Sequence, residues 1–396
     1  MSDSQQPDSF QETTSTSWLQ RIQNSIAGIG VGLALFGGMI TLLTWNEGRA
    51  VQTARSLAEG AGLVVSVPNT RVDSANQGKL IHATGPVKVA GRREDRAFGV
   101  SSEGVRLERE VEMYQWVEKK ETKTRKKLGG GEETVTTYSY VREWSRKPIN
   151  HTSFRQPQGR QNPEMTYRDQ AITAEKGDLG AFELDGSVLS RIGGAQPFPV
   201  TDVSAEAIRR AMGGNRRVTL QDGKIFVGYD PSRPEVGDYR VSYRVVPVGP
   251  ITVVGRQSGK GFAAYQTKAG DSLLMVRRGE QSAETVFKDA QKSNRTLTWI
   301  LRAVGLVGMF IGVTMLLAPL GVVADVIPFL GSIVRLGTGF AALLVTAVVG
   351  SLTIAIAWLY YRPIVGIAVL LVGAAVAAFA VKRGRQRAAP AKAQPA

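Results

Sequence analysis

Apolar and polar positions divide the chain into long apolar runs near its two ends and a polar middle segment. No charged side chain occurs from residue 22 to 46, and three further charge-free runs cover 303–324, 336–361 and 363–381. A helix of about 20 apolar residues spans a hydrocarbon core about 30 Å thick. The pattern therefore predicts an integral membrane protein with four transmembrane helices.

The first apolar run is predicted to be a retained membrane helix rather than a cleaved signal peptide. Its length exceeds the apolar core of about 7–15 residues that is typical of a signal sequence. The tail before it is acidic, with Arg21 as the single cation. The run ends in Trp45, Asn46 and Glu47, which do not form a small-residue cleavage site.

The middle segment, 46–298, alternates between polar and apolar positions in short runs that Gly, Pro, Asn and Asp interrupt. A period of two is typical of antiparallel strands. Two of these strands, around Val111 and Val135, are predicted to form a hairpin that turns at 129–131. The class is α+β: a four-span helical membrane protein with a large, mainly antiparallel β-rich extramembrane domain between spans 1 and 2.

The basic C-terminal tail sets the predicted orientation, because cationic flanks favour the cytoplasmic side of a membrane. Both termini are then cytoplasmic, and the middle segment lies outside. The predicted segments are a cytoplasmic tail (1–21), transmembrane helix 1 (22–45), the β-rich domain with helical stalks at both ends (46–298), helix 2 (299–323), an interfacial or re-entrant segment (324–335), helix 3 (336–361), helix 4 (363–381) and a basic cytoplasmic tail (382–396). Interfacial anchors are expected at Trp45, Tyr360, Tyr361 and Arg362.

Composition narrows the chemistry that the chain can perform. It has 49 Lys+Arg against 34 Asp+Glu, two histidines and no cysteine. The lack of cysteine excludes thiol nucleophiles, disulfides and cysteine-ligated metal sites. No hydrolase, kinase or zinc-protease motif occurs. We therefore expect no catalytic residue, no cofactor and no metal site, and no nucleic acid as a partner because the basic domain faces outward.

Two sets of residues are candidates for contacts with membranes or other helices. Four glycines are expected to let membrane helices approach closely: Gly28, Gly32, Gly308 and Gly312. Six cations are concentrated on the predicted hairpin: Lys119, Lys120, Lys123, Arg125, Lys126 and Lys127. This cationic cluster is either a contact for anionic headgroups or a solvated strand edge that its lysines protect from aggregation.

Three motifs resemble the transmembrane protein 43 family, also called LUMA. They are WNEGR at 45–49, VEMYQW at 111–116 and WLYYRP at 358–363, and the resemblance extends from about residue 20 to 383. It implies a self-associating multipass protein with its large domain on the lumenal or exoplasmic side. Animal members lie in the endoplasmic reticulum and inner nuclear membrane. This short chain, which has no extended targeting signal, is more similar to bacterial members, for which no biochemical activity is agreed. The family supplies no catalytic residues.

The leading hypothesis is a non-enzymatic, self-associating membrane scaffold that organises protein complexes or envelope structure, placed in a bacterial inner membrane. Its expected partners are the lipid bilayer, further copies of the chain, and unidentified membrane or envelope proteins. The alternative is a channel or transport accessory formed by an oligomer, with the segment around Pro328 lining or gating the pore. No span has a central carboxylate or histidine, which argues against a proton relay. An envelope hydrolase that uses Glu108, Glu110 and Glu112, spaced along one strand face, is less favoured.

Overall fold

The computed structural model describes residues 9–201, 208, 217–364, 366–368 and 371. These residues form two compact units. The β-rich unit contains the described residues within Met1–Thr14, Ser56–Arg125 and Glu133–Ala290. The helical unit contains those within Ser15–Arg55, Lys126–Glu132 and Gln291–Ala396.

Three of the described helices are long and apolar enough to cross a membrane: α1 (Trp18–Leu63), α3 (Ala283–Ala324) and α4 (Pro328–Tyr361). A further helix, α2 (Gly186–Leu189), is short and belongs to the β-rich unit. The prediction of four spans is therefore supported for three helices in the described part of the chain. The fourth predicted span, 363–381, lies largely outside the described residues.

The segment 324–335, predicted to be interfacial or re-entrant, consists of the end of α3, a turn at 325–327 and the first turns of α4. Pro328 begins α4, a position where proline is favoured because the first helical N–H has no partner within the helix.

The first sheet has eight strands in the order β1-β7-β6-β14-β13-β12, and β8 and β11 pair with β6 and β14. Its strands are β1 (Ser9–Thr16), β6 (Arg106–Lys126), β7 (Glu132–Ser145), β8 (Gln170–Thr173), β11 (Gln196–Phe198), β12 (Val218–Gln221), β13 (Lys224–Val227) and β14 (Tyr239–Val246). Alternation along β6 buries Leu107, Val111 and Met113 in the core beneath this sheet.

The second sheet closes on itself, because β3 pairs with β15, β15 with β16, β16 with β10, β10 with β9, and β9 with β3. Its strands are β2 (Val65–Ser66), β3 (Leu80–Val89), β9 (Lys176–Leu179), β10 (Phe182–Asp185), β15 (Gly249–Ser258), β16 (Gly261–Ala263) and β19 (Met275–Arg278). Two short hairpins, β4 (Arg93–Asp95) with β5 (Val100–Ser102) and β17 (Tyr265–Gln266) with β18 (Ser272–Leu273), complete the unit.

The predicted α+β class is confirmed, with a β-rich domain between the first helix and the later two. Its ladders are mainly antiparallel, and β2–β3 and β10–β16 are parallel pairs. The side chains of Val188 and Leu189 on α2 are fully buried in the core of the closed sheet. Burial of an aliphatic side chain of this size contributes about 1.5–3 kcal/mol.

One buried polar network lies under the first sheet. The Asp95 carboxylate accepts hydrogen bonds from Arg109 Nη1 at 2.7 and 2.8 Å and from the Tyr243 hydroxyl at 2.8 Å. Burial, together with the adjacent charge of Asp95, raises the pKa of Tyr243 well above its usual value. The network satisfies a carboxylate that is 2% exposed, which would otherwise be costly to bury.

The two stalks pack together within the β-rich unit. Leu57 of α1 lies in one buried cluster with Val286 and Phe287 of α3. Gly60 permits this approach, since a Cβ atom there would lie 2.6 Å from Leu273 Cδ1.

Beyond Tyr114, β6 continues with β7 and β1 as a three-stranded ribbon, which we call the arm. The predicted hairpin turn is present at its end: Lys127 N–H donates to Gly131 O at 2.8 Å, and Gly129 and Gly130 have φ of 84° and 78°. This conformation favours glycine because it has no Cβ. The hairpin tip, Lys126–Glu132, belongs to the helical unit.

Candidate functional site: two ionic clusters of the helical unit

Glu47, Arg302 and Trp358 form an ionic cluster that joins all three long helices, and we call it the Glu47 cluster. The Glu47 carboxylate accepts hydrogen bonds from Arg302 Nε at 2.6 Å and from Arg302 Nη2 at 2.8 Å. It also accepts one from Trp358 Nε1 at 2.8 Å. Glu47 is 1% exposed and the Arg302 side chain 13% exposed.

The contacts of Arg302 explain how two charges are accommodated in a buried position. A buried charge is costly unless it is paired and hydrogen-bonded, and here the pairing is bidentate. The guanidinium carbon lies 4.7 Å from the ring centre of Trp299 and 5.6 Å from that of Trp358. A cation over an indole face is further stabilised by the ring quadrupole.

A polar ladder continues from the Glu47 cluster along α1 and α3. Asn46 Nδ2 donates to Thr298 O at 3.1 Å, and Arg49 donates to Asn294 Oδ1 at 2.9 Å and to Thr298 Oγ1 at 3.0 Å. Asn294 Nδ2 in turn donates to Ala50 O at 3.0 Å. The polar residues that follow the first apolar run therefore bind α3.

A second ionic cluster lies at the opposite end of the helices and is centred on Asp325, in the turn between α3 and α4. Its carboxylate accepts hydrogen bonds from Arg21 Nη2 at 2.8 Å, Lys126 Nζ at 3.2 Å and Arg335 Nη1 at 2.8 Å. The Asp325 side chain is fully buried. We call these four residues the Asp325 cluster.

The hairpin tip is held at this end by further contacts. Arg21 Nε lies 2.9 Å from Glu132 Oε2, and Arg21 Nη1 donates to Gly130 O at 2.5 Å. Trp18 Nε1 donates to Val322 O at 2.9 Å, and its ring lies against Gly130, where a Cβ would collide with it. The tip, the start of α1 and the end of α3 thus meet within one unit.

The Asp325 cluster bears on the predicted orientation. Lys126 belongs to the middle segment, which was predicted to lie outside, whereas Arg21 and Arg335 were predicted to lie on the inner side. Three side chains that share one carboxylate lie on one side of a bilayer. The predicted sidedness therefore does not account for the hairpin tip.

The four predicted packing glycines lie between α1 and α3 of the same chain. A Cβ on Gly32 would lie 2.9 Å from Gly312 O and 2.9 Å from Met315 Cβ. A Cβ on Gly308 would lie 2.6 Å from the sulfur of Met39, and one on Gly28 would make an ordinary contact at 4.0 Å. These glycines bring together two helices of one subunit, and their role between subunits stays a prediction.

The predicted interface anchors differ in their exposure. Trp45 and Tyr360 are 55% and 80% exposed, and Arg362 is also exposed. Tyr361 instead packs against Gly48, and its carbonyl accepts a hydrogen bond from Arg55 Nη2 at 3.1 Å.

Two of the three sequence motifs therefore touch, since Glu47 meets Trp358 and Gly48 meets Tyr361. Sequence reasoning placed both motifs at a membrane boundary but did not predict this contact. The charges of Glu47 and Arg302, each flanking an apolar run, are the signal that could have suggested it.

The cationic cluster of the hairpin is divided among several partners. Lys119 Nζ lies 2.7 Å from Glu143, Lys123 pairs with Glu121 in its own strand at 2.9 Å, and Lys126 reaches Asp325. These pairs leave the proposed headgroup contacts of Lys119, Lys120, Lys123, Arg125, Lys126 and Lys127 as a prediction.

The carboxylate row on β6, formed by Glu108, Glu110 and Glu112, faces arginines. Arg106 lies 2.7 Å from Glu108, Arg240 lies 2.7 Å from Glu112, and Arg146 lies 3.5 Å from Glu110. In the part of the chain that the structure describes, no group of three or more His, Asp or Glu side chains is placed to hold a metal ion. The arrangement is that of a charge-paired strand face.

Comparisons with known proteins cover most of the chain. The family model for transmembrane protein 43 matches residues 113–363. Transmembrane protein 43 of Mus musculus is 35% identical over 363 residues, which cover 88% of each chain. The Homo sapiens protein is 34% identical over 384 residues, 93% of this chain and 92% of its own length. The Drosophila melanogaster homolog is 30% identical, covering 92% and 95%. No solved structure matches. The chain belongs to the transmembrane protein 43 family.

Proposed function

We propose that this integral membrane protein is a non-enzymatic, self-associating scaffold that organises protein complexes or envelope structure. The observation that carries the proposal is how the charges of the helical unit are used. The Glu47 cluster joins α1, α3 and α4, and the Asp325 cluster joins the helices to the hairpin tip. Both clusters hold the chain in one arrangement, as a scaffold requires.

The paired carboxylates weigh against a hydrolase. A general acid and a general base need carboxyl groups in different electrostatic environments. Glu108 lies 2.7 Å from Arg106 of its own strand, and Glu112 lies 2.7 Å from Arg240 of the neighbouring strand β14. The row therefore supports strand pairing rather than catalysis.

For the cellular setting, we place the protein in a bacterial inner membrane with its basic C-terminal tail in the cytoplasm. The large domain of the middle segment then lies on the periplasmic or exoplasmic side. The proposed partners are the bilayer, other copies of the chain, and membrane or envelope proteins.

Native mass spectrometry after extraction in mild detergent tests the proposal. A scaffold is expected to appear as a defined homo-oligomer with a recurrent protein or lipid partner. A bare monomer would contradict self-association.

Ion flux into liposomes that contain the purified protein separates the scaffold from the alternative, a channel or transport accessory. The scaffold is expected to give no more flux than protein-free liposomes. Flux that increases with the amount of oligomer would instead support the channel.

A further inference from the structure

We propose that copies of this chain associate through the arm, with the open edge of β6 at 117–126 pairing with strand β1 of a neighbouring copy. The inference rests on the proposed self-association and names the surface that performs it. The partner is therefore a second copy of this chain.

The arm has two open edges. On the side away from β7, β6 pairs with β14 only from Arg106 to Met113. Asn162 Oδ1 accepts from Trp116 N at 2.7 Å, and beyond that point no strand of the described chain pairs with this edge. Strand β1 is the last strand at the other end of the sheet. Unpaired strand edges readily pair with another chain.

The exposure of the β6 side chains indicates that this part of the strand is free to bind another chain. All eight residues from Lys119 to Lys126 are exposed, on both faces of the strand. The Lys119 and Lys123 side chains are 54% and 76% exposed. Lys126, at the end of this stretch, contacts Asp325.

Strand β1 is fixed in place as the other edge. Phe10 stacks on Tyr138 of β7 with ring centres 6.3 Å apart, and Glu12 is held by Arg155. Both β1 and β6 lead toward the hairpin tip. Copies related by rotation about an axis along the arm therefore place β1 and β6 side by side, as a head-to-tail interface requires.

Charge selects which edges pair. Residues 117–126 contain five Lys or Arg and two Glu, whereas β1 (Ser9–Thr16) contains one acidic residue, Glu12, and no basic one. Like charges on directly opposed strands are destabilising, and opposite charges are stabilising. Two β6 edges therefore repel each other, whereas β1 of another copy carries no cation that would repel β6.

The surfaces that the sequence offered for assembly are occupied within one chain. Gly32 and Gly312 face each other between α1 and α3, and the stalks pack together through Leu57 and Phe287. The arm is a surface for association that these contacts within one chain do not use.

Engineered disulfides test the interface directly, because the chain has no cysteine. Thr124→Cys on β6 is combined with Thr13→Cys or Thr14→Cys on β1. Within one chain β7 separates these strands by about 9.6 Å, beyond the Cα separation of about 7 Å that a disulfide tolerates. We expect a ladder of cross-linked copies for one combination in native membranes under mild oxidation.

Two controls make the result specific. Thr14→Cys with Thr219→Cys places the second thiol on β12, the edge strand at the other end of the same sheet, and should give no ladder. A cross-linked dimer from Thr124→Cys alone would indicate β6–β6 contact and overturn the proposal. An oligomer by native mass without a β1–β6 cross-link overturns this interface but leaves the scaffold intact, whereas a monomer contradicts both.

Charge reversal supplies an independent readout that requires no disulfide. Lys123→Glu with Arg125→Glu should weaken association about fivefold, measured by native mass spectrometry over a concentration series. Lys224→Glu with Lys268→Glu is the matched control, since both residues are exposed and lie away from the arm. Unchanged association of the arm variant, with an unchanged unfolding temperature, would contradict the proposal.

Discussion

At the scale of single residues, the pairing of Glu47 with Arg302 determines whether three helices stay together. Removing one partner of a buried ion pair leaves the other charge uncompensated, at a cost of about 3–5 kcal/mol. Arg302→Met is therefore expected to lower the free energy of unfolding by about that amount. The double variant with Glu47→Gln should be more stable than Arg302→Met alone. Denaturant unfolding in mild detergent measures both.

Arg362→Met is the matched control for this pair, because Arg362 is exposed and its loss should change unfolding by less than about 0.5 kcal/mol. A double variant no more stable than Arg302→Met would show that the uncompensated Glu47 charge is not the source of the loss.

Tyr243 makes a second prediction at this scale, on pH dependence. Its folded pKa is raised, mainly by burial and by Asp95, above an unfolded value of about 10. The resulting stability is fully present below the unfolded pKa and is lost as the pH rises above it. We expect wild-type stability to fall above about pH 10, and Tyr243→Phe to fall less steeply. Parallel slopes for the two proteins between pH 9 and about 11 would refute the assignment.

At the scale of elements, the contact between α1 and α3 depends on glycine. A side chain on Gly32 would meet the backbone oxygen of Gly312, which cannot move aside as a flexible side chain can. Gly32→Leu should therefore separate the helices and destabilise the helical unit by about 1–3 kcal/mol or more. Thermal unfolding in detergent measures the loss.

Gly37→Leu is the matched control, because it lies on the same helix and a Cβ added there would meet no atom of another element within 4 Å. Equal unfolding temperatures for the two variants would show that α1 and α3 do not pack through Gly32.

Local pattern predicted elements better than it predicted their partners. Apolar runs identified α1, α3 and α4, and period-two alternation identified the hairpin of β6 and β7. Both predictions succeeded because each pattern depends only on residues that are close together in the sequence. The closed second sheet, the pairing of β1 with β7 and the two ionic clusters join residues far apart in the chain. Glu47 and Trp358 are separated by 311 positions. A periodic pattern of apolar residues does not predict a contact between residues so far apart in the sequence.

At the scale of the whole molecule, the helices of the helical unit carry their ionic clusters at opposite ends. The Glu47 cluster lies at one end and the Asp325 cluster at the other, with the apolar runs between them. This distribution is what a bilayer requires, since ionised groups are costly at its centre. The hairpin tip contacts the Asp325 cluster within the helical unit, and the sequence pattern did not predict this connection.

Asp325→Asn tests that connection. The change leaves Arg21, Lys126 and Arg335 around a neutral side chain, so that the cations repel one another and the tip opens more often. Because proteolysis of a native protein follows such local opening, trypsin should cut after Lys127 faster in the variant than in the wild type. Asp178→Asn, on an exposed position of β9, should leave this rate unchanged. Equal rates in all three proteins would mean that the tip is held without Asp325, by the contacts of Arg21 with Glu132 and of Trp18 with Gly130.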